Sequence, residues 1–356
     1  MAACDSIIHE TIGRNHKPVH YTTPVSGYGP PNLQAAYNLP STTNGSGQTV
    51  AIVDAYNDPE AASDLATYRS YFGLPPCTTA SGCLRIVDQN GGSKLPKNNG
   101  GWSQEISLDL DMVSAICPNC HILLVEASSA SLSDLGTAVD TAASLGATEI
   151  SNSYGGSEYP GETGADSYYD HPGVAVTASS GDGGFGVEYP AASPYVTAAG
   201  GTTLDHSNGT YTQTAWSGAG SGCSAYEPQP AWQAELSNIS SVCSARAVAD
   251  VSADANPDTG VAVYDSYRYR GASGWLVFGG TSVALPIIAS TYALAGNVAT
   301  SGFGQGAEHL YANANSSDIT DVTSGSNGSC GTDLCNSGTG WDGPTGLGTP
   351  NGVGAF

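Results

Sequence analysis

The chain has 356 residues, 40% of them apolar, with 47 glycines and 20 prolines, enough for one compact core threaded with turns and long surface loops. Nine Lys and Arg stand against 32 Asp and Glu, a formal net charge of −23, which argues against a nucleic-acid partner because nothing would neutralise its phosphates. No apolar stretch reaches membrane-spanning length, and in acid only those nine cations and seven histidines remain to repel one another, so the composition suits low pH.

Residues 1–47 are polar and turn-rich and end in Thr42-Thr43-Asn44-Gly45-Ser46-Gly47. They read as an extended arm laid on a domain spanning 48–356. Met1 to Pro24 lacks a basic-then-apolar secretion signal, as expected of a mature secreted protein or a truncated reading frame. From Thr49 on, strand-like and helix-like segments alternate. Thr49–Ala55 reads as a buried strand, Pro59–Phe72 as helical, Trp102–Ile116 as a helix and His121–Ala127 as a strand. Leu132–Leu145 is helical again, with strands at Thr148–Tyr154 and Gly173–Ser179. Strands separated by helices of this length predict an α/β fold, a mainly parallel sheet with helices on both faces. Ligands of such sheets sit beyond the carboxyl ends of the strands, which points to the loops after Ser153 and Ser180.

Eight of the nine cysteines fall in close pairs: Cys77 with Cys83, Cys117 with Cys120, Cys223 with Cys243 and Cys330 with Cys335. Such pairing reads as local disulfides in an oxidising compartment, hence a secreted, extracellular protein. Cys117-Pro-Asn-Cys120 is also compatible with a redox or zinc site, although no second CxxC completes four zinc ligands. Cys4 is left over.

Two constellations carry chemistry. Gly279-Gly280-Thr281-Ser282-Val283-Ala284-Leu285-Pro286 leads into the apolar run Ile287–Leu294. A serine there opens a helix whose dipole favours developing negative charge, though an ordinary helix cap has the same composition. Upstream, Glu105 and Asp109 are four apart and share one face of the expected helix. Two solvated acids would show the same spacing, but these lie among Ile106, Leu108, Leu110, Met112 and Val113.

Gly-Thr-Ser-x-x-x-Pro is similar to the nucleophile motif of the subtilisins and the sedolisins, the serine-carboxyl peptidases. A subtilisin would add an aspartate on the strand that carries Asp54 and a histidine followed by glycine. None of the seven histidines is followed by glycine. Trp102-Ser103-Gln104-Glu105-Ile106-Ser107-Leu108-Asp109 instead resembles the sedolisin helix, which implies Glu105 as general base, near its ordinary pKa of about 4.3, with Asp109 sharing its proton. Ser180-Gly181-Asp182 resembles the sedolisin oxyanion loop, which implies a protonated Asp182 as hydrogen-bond donor. The likeness continues through Tyr189-Pro190-Ala191-Ala192-Ser193-Pro194, Gly200-Gly201-Thr202-Thr203 and Arg246-Ala247-Val248-Ala249-Asp250.

The resemblance implies a subtilisin-like fold and an acid-acting endopeptidase that cleaves proteins and peptides through an acyl-enzyme on Ser282. It also implies a Ca²⁺ held by the carboxylates of Asp318 and Asp342 and the carbonyls of Ile319, Gly338 and Gly340. Ordinary Asp-rich loops would look alike there. Glu188 lies where it can line the pocket for the residue before the scissile bond and favour Lys or Arg; a solvated loop acid is the other reading. The chain departs from the family at Tyr154, where sedolisins carry tryptophan, and it shows no prosegment of the kind expected in the precursor. A monomer is expected. The rival functions are an inactive binding protein on the same scaffold and a neutral subtilisin-type peptidase.

Overall fold

A computed structural model describes residues 1–9, 25–300, 302, 304–315 and 317–356. His16, His20 and the middle of the N-terminal arm lie outside them. The first elements in chain order are β1 (Ala3–Cys4), β2 (Ile7–Ile8), α1 (Pro30–Ala36), β3 (Thr49–Ala55), α2 (Ala61–Tyr71), β4 (Leu84–Asp88), α3 (Gly100–Ile116) and β5 (His121–Ala127). They are followed by α4 (Leu132–Ser144), β6 (Glu149–Asn152), β7 (Tyr154–Ser157), β8 (Ala175–Ser179), β9 (Glu188–Tyr189), β10 (Thr197–Asp205) and β11 (Thr212–Ala215).

An eight-stranded sheet runs in the order β11-β10-β8-β6-β3-β5-β4, with Val251–Asp254 also paired to β10. Neighbours are parallel except β11. Strands covered on both faces need apolar residues throughout, which is why β3 and β5 are near-continuous hydrophobic runs. Side chains alternate across β3. Val50 and Ile52 pack with α3 and the helix Thr281–Ala295, whereas Ala51, Val53 and Ala55 pack with Leu135, Ala138 and Val139 of α4. The same alternation puts Asp54 on the α3 side.

Helix α3 begins at Asn99, whose side chain accepts hydrogen bonds from the Gly101 and Trp102 amides. Every residue from Trp102 to Ile116 is buried. It is a central helix, wrapped by β3, α2 and the helix Thr281–Ala295. Its acids therefore have no solvated face to point to.

Two expected segments differ in detail. The 1–47 arm contains α1, started by Pro30 and Pro31 at the positions where missing amides cost nothing, and it buries Leu33 and Tyr37 in the core. The strand expected over Thr148–Tyr154 breaks at Ser153, after which β7 leaves the main sheet to join β1 and β9. The four close cysteine pairs are disulfides, Cys117–Cys120 included, which removes the zinc reading. Cys4 is free. Among the described residues no helix is long and apolar enough to cross a membrane.

Carboxyls are buried without cations. The buried Arg246–Asp250 pair is the one Lys or Arg ion pair among the described residues. Glu149, on β6 and 2% exposed, accepts only a hydroxyl bond from Thr148 at 2.5 Å, and burial pushes it up to about 8. The folded state then holds a proton that the unfolded chain releases above pH ~4.3. Stability from this group is complete in acid and is lost as pH rises toward 8. In Glu149→Gln, the fall in urea midpoint between pH 4 and pH 7 should shrink, by on the order of 1–3 kcal/mol at pH 7, with little change at pH 4. Parallel curves for the two proteins would rule out a protonated Glu149.

Candidate active site

Ser282 is the second residue of the helix Thr281–Ala295. The first amides of a helix have no partner inside it, so the Thr281 and Ser282 N–H groups point outward. Thr281 uses its amide (2.7 Å) and its hydroxyl (3.0 Å) to hold Oδ1 of Asp182. The Ser282 amide donates at 3.0 Å to a carbonyl, that of Asp5. Gly280, with φ +100°, makes room. A Cβ there would stand 2.2 Å from the Asp5 carbonyl oxygen and 2.5 Å from Oδ2 of Asp182. Those two oxygens therefore share one small space beside the Ser282 amide.

Oδ2 of Asp182 is buried and has no other hydrogen-bond partner. Burial pushes Asp182 up to about 7, aided by Glu188 and opposed by the two Thr281 bonds. A proton on Oδ2 makes it a donor aimed at the carbonyl oxygen. The acid requirement expected of this residue is thus largely met by its surroundings.

Glu105 and Asp109 are both fully buried on the same face of α3. Ser153 donates to Oδ1 of Asp109 at 2.9 Å, and the Ser282 hydroxyl lies 3.5 Å from the Ser153 carbonyl. Among the described residues neither Glu105 oxygen has a hydrogen-bond partner, and burial pushes the carboxyl up to about 8, opposed by the nearby hydroxyls of Ser282 and Ser6. Glu105 therefore departs from the ordinary carboxylate value expected from its sequence context. Water is excluded from α3, and among the described residues no cation pairs with Glu105. Asp109 is raised as well, by burial and then by Asp54 and Glu105.

Asp54, placed in the sequence only on the strand of the subtilisin aspartate and given no role by the sedolisin resemblance, joins this group. It sits at the carboxyl end of β3, fully buried, with neither oxygen hydrogen-bonded. Burial, Glu105 and Glu126 raise it. Its signal in the sequence was a charge at the inward parity of an apolar strand. The residues with no sequence signal are Asp5 and its neighbours. Residues 1–9 lie across the site, and Ser282 is fully buried beneath them. Glu188, on β9, faces the same place. A Cβ on Gly155 would meet Oε2 of Glu188 at 2.3 Å and Oδ2 of Asp5 at 3.3 Å.

The expected calcium ligands are only partly gathered. Ile319 and Gly340 line one small cavity, in company with Asp321, and Asp321 accepts from the Gly340 amide at 2.9 Å. Asp318 accepts from Asn315 and Ser317. Asp342 spends both oxygens on its own turn, bonded by Ser337, Gly338 and Thr345. A cation at this place fits only if Asp342 gives up some of those bonds. Among the described residues, three carboxylates do converge elsewhere: Asp58, Asp64 and Asp265 are buried, with oxygens within 4.8 Å of one another, and such a group could bind a metal ion.

No protein-family model matches the sequence. The chain is 30% identical over 366 residues to kumamolisin of Bacillus sp. (strain MN-32), covering 92% of this chain and 63% of that protein. It is 27% identical over 363 residues to sedolisin of Pseudomonas sp. (strain 101), covering 91% and 60%. Xanthomonalisin of Xanthomonas sp. (strain T-22) is 25% identical over 374 residues, covering 85% and 43%. The chain thus spans between two-fifths and two-thirds of the length of these relatives. The solved structure of Pseudomonas sedolisin (serine-carboxyl proteinase), complexed with two molecules of pseudo-iodotyrostatin, matches with a TM-score of 0.76 at 27% identity, over 92% of this chain and 96% of that one. Fervidolysin from Fervidobacterium pennivorans, related to subtilisin, shares the fold at 16% identity, over 100% of this chain and 50% of that one, with a TM-score of 0.57. Alike in sequence along some nine-tenths of its length and in fold, this chain is a sedolisin homologue on a subtilisin-like α/β scaffold.

Proposed function

We propose that the chain is a secreted, acid-acting serine-carboxyl endopeptidase that cleaves proteins and peptides through an acyl-enzyme on Ser282. One observation carries the reading. A peptide carbonyl oxygen, that of Asp5, sits where the Ser282 amide and the unpartnered Oδ2 of Asp182 converge, with Glu105 beside the Ser282 hydroxyl. Four disulfides support an extracellular setting.

In this reading Ser282 Oγ adds to the carbonyl carbon and its proton passes to Glu105. The oxyanion takes hydrogen bonds from the Ser282 amide and protonated Asp182. As the carbon–nitrogen bond breaks, Glu105 returns the proton to the leaving amine and an ester remains on Ser282. Water then repeats the sequence and frees the acid. Asp109 and Asp54 stand behind Glu105, so the base is the fraction of this three-carboxyl group that has lost a proton, and its titration belongs to the group. A histidine would be cationic in acid and could not accept the proton.

Ser282→Ala should lower peptide hydrolysis at pH 4 by about 10⁴-fold or more without unfolding the chain. Near-normal turnover by a clean variant, checked by mass spectrometry, would remove Ser282 from the mechanism.

Asp182 offers a second check. Wild type should lose its oxyanion donor as pH rises through about 7, whereas an amide donates at every pH. Asp182→Asn should retain measurable activity and extend it above pH 7, and Asp182→Ala should lose roughly 10²–10³ in kcat. If Asn is no better than Ala from pH 3 to 8, Asp182 moves a proton instead of merely donating a bond.

Calcium would tie the 318–321 segment to the 338–342 turn, through Asp318, Ile319, Gly338, Gly340 and, once its own bonds open, Asp342. It supplies rigidity there and no step of the reaction. A metal bound only to the folded state adds stability by mass action. Exhaustive chelation at pH 6 should lower the melting temperature by several degrees, and re-addition of Ca²⁺ should restore it. An unchanged melting curve would exclude a structural ion.

A further inference from the structure

Residues 1–9 lie in the cleft in the register of a bound substrate. β1 pairs antiparallel with β7, Ala3 opposite Gly155 and Cys4 opposite Tyr154. β2 pairs antiparallel with the strand Ala272–Gly279, Ile8 opposite Phe278 and Ile7 opposite Gly279. The ends are tied as well, Ala2 to the Ala130 carbonyl and His9 to the Val277 carbonyl, both at 2.8 Å. Between the two short strands, the Asp5 carbonyl rests on the Ser282 amide. The bond over the nucleophile is Asp5–Ser6, and Asp5 holds the position just before it, here called P1.

The Asp5 side chain is 7% exposed and enters a pocket floored by Gly155 and Gly181, where added Cβ atoms would collide with Glu188 at 2.3 and 2.8 Å. Ser179 donates to Oδ2 of Asp5 at 2.6 Å. The titratable groups facing Asp5 are Asp182 from the loop after β8, Glu188 from β9 and Glu105 from α3, with Cys4 next to it on its own strand. Arg270 lies along the other half of the cleft, with Ser6, Ile7 and Ile8. Two carboxyls that meet out of water keep at least one proton between them, and burial first, then Asp182 and Glu188, raise Asp5 well above the carboxylate range.

Resting on the peptidase reading, we infer that the P1 pocket selects a short, uncharged hydrogen-bonding side chain, protonated Asp or its amide, with Ser179 and Glu188 as the specificity-determining residues. This replaces the expected preference for Lys or Arg. Glu188 would draw a cation only as an anion, and here it faces carboxyls. Substrate recognition is then itself gated by protons, since an Asp substrate must enter neutral.

The test uses the purified full chain and peptides copying Ala2–Ile8, with Asp, Asn, Leu or Lys at P1. The intramolecular strand competes equally with each peptide, so ratios of kcat/KM are unaffected by it. At pH 3, Asp and Asn should exceed Leu and Lys by at least about tenfold. Between pH 3 and 6 the Asp-to-Asn ratio should fall about tenfold or more, and Glu188→Gln should blunt that fall. Lys or Leu as the best substrate, or a ratio constant with pH, overturns the proposal. A second readout needs no turnover: the rate at which free Cys4 is labelled by a dithiodipyridine at pH 4. Asp5→Asn should keep the strand seated and the rate within twofold of wild type, whereas Asp5→Lys should raise it at least tenfold. Equal rates in both variants overturn the pocket assignment. Loss of all peptide cleavage with the labelling contrast intact would instead overturn the peptidase reading and leave the pocket standing.

Discussion

Protons take the place of cations in this protein's interior, and the rest of the structure depends on that substitution. Asp250 has the ordinary solution, a two-pronged bond to Arg246. Arg69, the other large buried cation, spends its guanidinium on Pro75, Ser114 and Pro118. Asp54, Glu105, Asp109, Asp254 and Glu149 are all buried with no ion pair among the described residues. An ionised carboxylate is very costly in such a place, so the group neutralises by binding a proton. With nine Lys and Arg against 32 acids, the chain has too few cations to pair them. These buried carboxyls are therefore held at least cost where protons are plentiful.

The same constraint gives the site its chemistry. A carboxyl kept neutral by burial can donate a hydrogen bond, as Asp182 would to an oxyanion. A cluster that carries fewer protons than carboxyl groups can accept one, as Glu105 would from Ser282. Both roles need water excluded and no ammonium nearby, and α3 supplies this by being buried from Trp102 to Ile116. Helix geometry adds the remaining donor, because the second amide of the helix Thr281–Ala295 is free by construction. Sheet, helix start and buried acids meet at the carboxyl ends of β3, β6 and β8, where parallel sheets place ligands.

What the sequence made legible was local. Thr49–Ala55 and His121–Ala127 are strands with the boundaries that their apolar runs predict. Glu105 with Asp109, Asp182 with its glycines and Ser282 at a helix start are short-range patterns, and the structure brings these residues together. The likeness to sedolisins supplied what spacing alone left open. The less legible parts depend on contacts distant in sequence. The pairing of Cys4 with Tyr154 and of Ile8 with Phe278 leaves no periodic trace in two-residue strands. The elevation of Glu105 depends on what surrounds α3, which no motif states. The calcium loops illustrate a third case, in which family residues are present but Asp342 turns its oxygens inward.

Occupation of the cleft by the chain's own first residues ties these threads together. With Ala2 and Asp5 buried, Ser282 is sealed from solvent, so the carboxyls around it are raised in part by the strand that covers them. A strand seated there does two things at once: it fills the pocket, and it dries Glu105, Asp109 and Asp182. Seating and proton uptake are then linked, so the strand seats most tightly at a pH low enough that the open site already carries those protons. A histidine-based protease gains nothing from such linkage in acid, because its base is already charged. For a site built of carboxyls, a seated strand keeps Asp182 protonated and able to donate, and it opposes loss of the proton that Glu105 must shed to act as a base.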